Sequence, residues 1–161
     1  MARPDAARTK EQKVIVKNRR ALFDYAIDER FEAGIALVGS EVKSMRAGKV
    51  DVSDAYVQVD RGEAWLKQMY VAPFEQASAF PHEPRRSRKL LLKGREIEEI
   101  HRALARGGAT AVPMQLYFKE GRVKVEVGVG HGKKHYDKRA DIAKKDAERD
   151  ARVAVRDAAR R

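Results

Sequence analysis

Between Arg122 and Val129 apolar and polar residues take strict turns: Val123, Val125, Val127 and Val129 alternate with Lys124, Glu126 and Gly128. A period of two belongs to an extended strand with one buried face, and β-branched valine suits that surface. The run Ala111 to Phe118 precedes it, separated by Lys119-Glu120-Gly121-Arg122, a glycine-bearing interval that can reverse the chain. These residues predict an antiparallel hairpin. A hairpin with one apolar face needs further strands to cover it.

Such strands are available upstream. Tyr56-Val57-Gln58-Val59 and Ala64-Trp65-Leu66-Lys67-Gln68-Met69 flank Asp60-Arg61-Gly62-Glu63 and predict a second hairpin. Phe23-Asp24-Tyr25-Ala26-Ile27 and Phe31-Glu32-Ala33-Gly34-Ile35-Ala36-Leu37 read as two half-buried strands. Ser40 is placed to cap a short helix through Met45, with Glu41 in its first turn and Gly48 beyond its end. Pro73, Pro81 and Pro84 make residues 72–88 a loop. From Lys93 to Arg106, Ile97, Ile100 and Leu104 recur at helical spacing, and Gly107-Gly108 ends the pattern. Together these predict a mainly β protein with short helices, a small antiparallel barrel whose first candidate is the oligonucleotide-binding (OB) type.

The expected organisation is a flexible basic N-terminus over 1–12, the barrel over 13–130 and a basic C-terminal tail over 131–161. The tail is rich in alanine and charge, but Ile142, Val153 and Val155 are too few to bury a helix on the barrel. It is expected to be disordered alone and helical only on a partner that supplies contacts.

Charge indicates what that partner is. In 161 residues, 35 Lys and Arg exceed 24 Asp and Glu, for a net charge of +11. Residues 1–20 hold seven basic and two acidic groups, 85–95 six basic and no acid, and 130–161 eleven basic against six acidic, while 21–84 are acidic overall. Concentrated patches point to a polyanion. Nucleic acid is favoured over a membrane surface, because neither terminus carries the row of bulky apolar residues that a surface helix needs. No apolar stretch approaches the roughly 20 residues of a membrane span, and no signal-like apolar segment follows the polar opening Met1-Ala2-Arg3-Pro4-Asp5. With no cysteine, disulfides, thiolate metal sites and cysteine nucleophiles are excluded. A cytoplasmic protein without cofactor or metal is expected.

The same residues argue against catalysis. His82, His101, His131 and His135 show no metal-ligand spacing, and Gly128-x-Gly130-x-Gly132 follows a strand but precedes a basic run rather than a helix. Binding candidates are clearer. Asn18-Arg19-Arg20 flanks the first strand region. In Arg85-Arg86-Ser87-Arg88-Lys89 the arginines are expected to reach out while Leu90-Leu91-Leu92 pack. Tyr136, amid Lys133, Lys134, Lys138 and Arg139, offers a stacking surface among cations, a pairing that suits unpaired RNA. Chemistry alone leaves open an adaptor for one RNA, a general structured-RNA chaperone and a ribosome-associated protein.

Several motifs go further. Asn18-Arg19-Arg20-Ala21, Phe31 to Leu37, Gly39-Ser40-Glu41-Val42-Lys43-Ser44-Met45-Arg46, His82 to Leu92 and Gly132-Lys133-Lys134-His135-Tyr136-Asp137-Lys138-Arg139 closely resemble the bacterial SsrA-binding protein family, SmpB, in order from about residue 12 to about 150. The resemblance implies an OB-type barrel that binds the tRNA-like domain of tmRNA. It would act, as a monomer on its RNA, in trans-translation: ribosome rescue with tagging of the nascent peptide. It implies entry into the vacant A site of a stalled ribosome, against small-subunit rRNA, while elongation factor Tu with GTP delivers the alanyl-tmRNA. It implies no catalysis by the protein. The family's tmRNA-binding positions fall on Asn18, Arg19, Glu32, Leu91 and Lys124. Glu32 would repel phosphate, so it is expected to meet base or ribose donors or a neighbouring arginine. Asp137-Lys138-Arg139 falls where the family tail meets the decoding centre, and Ala140 onward resembles the segment that becomes helical in the empty mRNA channel. Phe23 stands where many relatives carry histidine; it can stack on a base but cannot titrate.

Overall fold

The structure, a computed structural model, describes residues 12–74, 82–133 and 135–159. The expected flexible segment 1–12 lies almost wholly outside the described residues, as does Lys134. The elements run β1 (Gln12–Lys17), α1 (Arg19–Asp24), β2 (Tyr25–Ile35), α2 (Gly39–Arg46), β3 (Val50–Asp51), β4 (Tyr56–Asp60), β5 (Glu63–Lys67), β6 (Tyr70–Val71), β7 (Arg88–Leu91), α3 (Gly94–Ala105), β8 (Ala109–Lys119), β9 (Arg122–Gly132) and α4 (His135–Ala159).

The strands close on themselves. β8, β4, β5, β7, β2 and β9 are bonded in that order, and β9 returns to β8. All these pairings are antiparallel. β9 occupies one edge of β8, while β1 and β4 share the other: β4 meets it at Ala111, and β1 from Lys119 back to Gln115. The ring is the expected small barrel. Val123, Val125, Val127 and Val129 point inward as their period requires, against Leu116, Ala33, Leu66 and Leu90. Burying a side chain of this size stabilises the fold by about 1.5–3 kcal/mol. α3 covers the barrel with Ile100, fully buried, as its spacing predicts.

Both predicted hairpins form, each with a two-residue turn. Arg61 and Gly62 have φ of 51° and 76°, and Glu120 and Gly121 have 53° and 76°, the left-handed pair that matches strand twist. Elsewhere tertiary contacts override local pattern. Phe23 and Asp24 end α1 instead of opening a strand, and the two expected strands are one, with a bulge between Ile27 and Glu29. The cause is Asn18, whose Oδ1 accepts from the Ala21 N–H at 3.1 Å and starts the helix. Ser40 does not cap α2. Val38 holds that position, its N–H donating to Glu41 at 3.0 Å, while the Ser40 hydroxyl lies 2.9 Å from His82.

The glycine run of β9 answers to crowding. A Cβ on Gly130 would lie 2.0 Å from the Ala26 carbonyl oxygen, and one on Gly128 would lie 2.7 Å from the Met114 side chain. Glycine at 130 lets β2 and β9 approach; the Met114 side chain can move, whereas the Ala26 backbone cannot.

α4 is a 25-residue helix, the state that the sequence favours for the tail on a partner. Anchoring of its start removes much of the nucleation cost. The Lys133 N–H donates to Asp24 O at 2.7 Å, and its Nζ donates to Leu22 O at 3.0 Å and to Asp141. Lys138 Nζ is 3.3 Å from Asp24, and Lys138 and Lys145 lie over the Phe23 ring at 5.7 and 5.8 Å. Ile142, Val153 and Val155 are exposed, so no apolar face of the helix is spent on the barrel.

One ion pair ties several of these elements together. Glu41 of α2 and Arg88 of β7 are both fully buried and directly bonded. Arg88 also donates to the carbonyls of Met69 (2.9 Å), Arg86 (3.1 Å) and Pro84 (3.2 Å). Glu41 further accepts from Arg86 Nη2 at 2.6 Å and Nε at 3.1 Å. Burial alone would raise the Glu41 carboxyl pKa; hydrogen bonds from Arg86 and the Val38 N–H, with the Arg88 charge, hold it below the usual range. Burial lowers the pKa of Arg88, against the pull of Glu41. Arg88 therefore does not reach out to solvent, as its basic neighbourhood suggested, because strand alternation turns it and Leu90 inward.

Two outcomes follow for urea unfolding of the full chain. Gly130→Ala should cost about 2–4 kcal/mol, and more than Gly128→Ala, since overpacking against fixed backbone has no cheap relief. Glu41→Gln should cost about 3–5 kcal/mol at neutral pH by leaving Arg88 buried without its partner. A depressed carboxyl pKa gives stability that is present above the unfolded value, about 4.3, and is lost as pH falls through the folded value. The deficit of Glu41→Gln should thus shrink below about pH 4.3.

Candidate nucleic-acid interface

Alternation along β2, β8 and β9 sends the opposite set of side chains outward, and three of the expected RNA-contacting residues converge there. Lys124 and Leu91 both pair in register with Gly34, two residues from Glu32 on the same side of β2. Leu91 is 56% exposed, and a Cβ on Gly34 would press against it at 3.2 Å. The glycine thus leaves the leucine standing clear of the sheet, an apolar surface between charged neighbours.

Glu32 is already engaged. Its carboxylate accepts from Tyr117 Oη at 2.5 Å and from Lys119 Nζ at 3.1 and 3.2 Å, not from an arginine as the sequence suggested. Burial would raise its pKa, but these bonds and the Lys119 and Lys124 charges bring it below the usual carboxylate range. Burial, reinforced by Glu32, pushes the Tyr117 hydroxyl up, so it remains a donor. Beside them Arg30 meets Glu126 at 2.7 Å, and Gln115 donates to the same carboxylate at 2.6 Å. Tyr117 and Lys119 were not singled out from sequence. The signal was there, since they sit at period two in β8 with Lys119 at its end.

The N-terminal motif divides into support and surface. Asn18 is buried, its Nδ2 donating to Pro113 O at 2.9 Å and Val52 O at 3.2 Å. Every polar atom of that side chain is used internally, so Asn18 holds α1 in place instead of presenting a group to RNA. Arg19 is exposed and lines a cleft between α1 and α4 with Leu22, Lys133, Lys144 and Lys145. Arg20 is also exposed, at 3.4 Å from both Asp24 and Asp54.

The central basic run is less available than its composition implies. Arg88 and part of Arg86 serve Glu41, and Arg86 also donates to Ala36 O at 3.2 Å. Arg85 stays exposed, bonded to Gln68 O at 3.2 Å and over the Tyr70 ring at 5.5 Å. Lys89 meets Glu63 at 3.3 Å on the outer side of β7. In the tail, Tyr136 and Asp137 fall in the first turn of α4, Arg139 is exposed, and Phe23 is covered by Lys138 and Lys145. Among the described residues no cluster of His, Asp and Glu is arranged to hold a metal ion, and no helix is long and apolar enough to cross a membrane.

Known proteins resemble this chain in sequence and in fold. The SmpB protein family matches residues 15–157. An SsrA-binding protein of Roseiflexus sp. (strain RS-1) is 51% identical over 93% of this chain and 96% of its own length. One from Exiguobacterium sp. (strain ATCC BAA-1283 / AT1b) is 48% identical over 94% and 97%. A solved structure described as "tmRNA-SmpB: a journey to the center of the bacterial ribosome" superposes with a TM-score of 0.64 at 46% identity, covering 74% of this chain and 85% of that one. With a match running from β1 into the end of α4, the chain belongs to the SmpB family.

Proposed function

We propose that this protein is the RNA-binding adaptor of trans-translation: it binds the tRNA-like domain of tmRNA and brings it to stalled ribosomes, acting in the cytoplasm by binding and not by catalysis. Membership of the SmpB family and the names of its relatives support this reading. The observation that carries it to residues is the convergence of Glu32, Leu91 and Lys124 on one outward face. There Lys124 meets phosphate, Leu91 lies under a base or ribose, and Glu32 accepts from a ribose hydroxyl or base N–H. Lys119 and Tyr117 keep Glu32 ionised and partly neutralised, which relieves its repulsion of the backbone. Arg19 and Arg85 add exposed cations, and Lys89 one shared with Glu63.

The tail has a separate task. As a helix of 25 residues it extends about 37 Å at roughly 1.5 Å per residue, with Lys and Arg exposed along it. The helix itself is nearly balanced, with seven Lys and Arg against six Asp and Glu, and the basic surplus lies in Lys133, Lys134, Arg160 and Arg161, which flank it in sequence. A rod of that length with cations at both ends suits an empty channel walled by rRNA, where mRNA would exclude it. Barrel (13–130) and tail (131–161) thus act on different RNAs, tmRNA for the first and small-subunit rRNA of the A site and mRNA channel for the second. Elongation factor Tu is engaged only indirectly, through the alanyl-tmRNA.

Arg19→Ala should weaken binding of the tRNA-like domain about tenfold, the value of one charge-assisted hydrogen bond, in a filter-binding or anisotropy titration. Truncation after Gly132 should leave that affinity within about twofold, because α4 adds little to the barrel face, yet abolish peptide tagging on stalled ribosomes. Normal tagging by the truncated protein would refute the division of labour.

A further inference from the structure

A recess of about 340 Å³ opens between α1 and the segment leading into β4, at the Tyr25 end of β2 and the Thr110 end of β8, several residues along the sheet from Glu32 and Lys124. Its floor is apolar: Ala21, Ala55 and Val112 are all buried. Tyr25 and Tyr56 line its walls, and the Tyr56 ring is 40% exposed. The segment is held in shape before any ligand arrives. Asn18 Nδ2 donates to Val52 O at 3.2 Å, Ser53 N to Asp51 at 2.8 Å, and Ala55 N to Val52 O at 3.1 Å. At the mouth stands Asp54, its side chain 61% exposed, held only loosely by Arg20 at 3.4 Å. Long, exposed ion pairs of this kind are worth little and exchange readily.

We propose that this recess receives one unpaired guanine base of RNA. A small apolar floor with aromatic walls suits a flat heterocycle taken out of its stack. The carboxylate at the mouth selects among bases, since an ionised Asp only accepts. Guanine presents N1–H and the N2 amino group side by side, two donors that match the two oxygens of Asp54. Adenine and cytosine set one amino group beside an acceptor nitrogen, and uracil flanks its N3–H with two carbonyls. Each of these would face the carboxylate with a repulsive lone pair. Arg20, released from Asp54 while its Nε stays 3.4 Å from Asp24, which also lines the recess, then turns its freed Nη1 to the phosphate of the same nucleotide. The inference rests on the RNA-binding reading above, but names a contact several residues along the sheet from Glu32, Leu91 and Lys124.

The probe is the pentanucleotide UUGUU, compared with UUAUU and with the inosine form UUIUU, which lacks the N2 amino group, titrated into the full-length protein. UUGUU should bind about tenfold tighter than either, the loss expected for one charge-assisted hydrogen bond, and should move the amide resonances of residues 53–56 and of Thr110. Asp54→Asn, nearly isosteric and exposed, should weaken UUGUU and strengthen UUAUU, abolishing the guanine preference, because the amide sets a donor beside an acceptor as adenine does; Tyr56→Leu should weaken all three. Equal affinities for the three oligonucleotides, or a guanine preference that survives Asp54→Asn, would overturn the proposal. If the tRNA-like domain of tmRNA still binds in that case, only the guanine site fails; if it does not, the adaptor reading fails as well.

Discussion

The buried pair of Glu41 and Arg88 constrains this molecule more than any other interaction. Two charges without water are tolerable only when every donor and acceptor around them is matched. Here the matching is done by α2, β7 and the chain at Met69, Pro84 and Arg86. Apolar contact would allow these pieces to slide; a charged fork bonded to one carboxylate and three carbonyls does not. The pair therefore sets the direction of β7, and with it the side on which Lys89 and Leu91 emerge. A contact in the interior thus determines which residues the outer surface presents.

It also changes what the net charge of +11 means. The densest basic run in the chain is partly internal, leaving Arg85, Lys89, Lys93 and Arg95 as its exposed members. The outer sheet face is not simply positive either, because Glu32 and Glu126 sit among Lys119, Lys124 and Arg30 in short-range pairs. Such a surface attracts a polyanion weakly at long range and discriminates at short range, through donors and acceptors in defined places. The tail differs in kind: a helix of nearly balanced charge, anchored near Phe23 and Asp24, with its basic surplus in the residues that flank it in sequence. Steering and selection thus fall to different parts of one chain.

Much of this was legible in the residues. Period two in β9 gave both its buried valines and, by complement, the outward Lys124. The turns at Gly62 and Gly121 and the spacing of Ile97, Ile100 and Leu104 led directly to two hairpins and α3. What escaped was set by partners distant in sequence. Arg88 looks like any other basic residue until Glu41, 47 positions away, is folded beside it. Asn18 looks like a surface ligand until Val52 and Pro113 arrive to accept from it, and Phe23 reads as strand until that asparagine starts a helix. The helix of the tail was expected; what its composition, marginal for a free helix, did not show is that contacts from α1 hold its start.

The central claim is that the sheet face and the tail address different RNAs, and photocrosslinking from single positions tests it most directly. A crosslinking amino acid at position 124 and another at position 145 would be activated on rescue complexes in cells, and the captured RNA sequenced. Position 124 should recover tmRNA and position 145 small-subunit rRNA. Recovery of the same RNA population from both positions would contradict the claim.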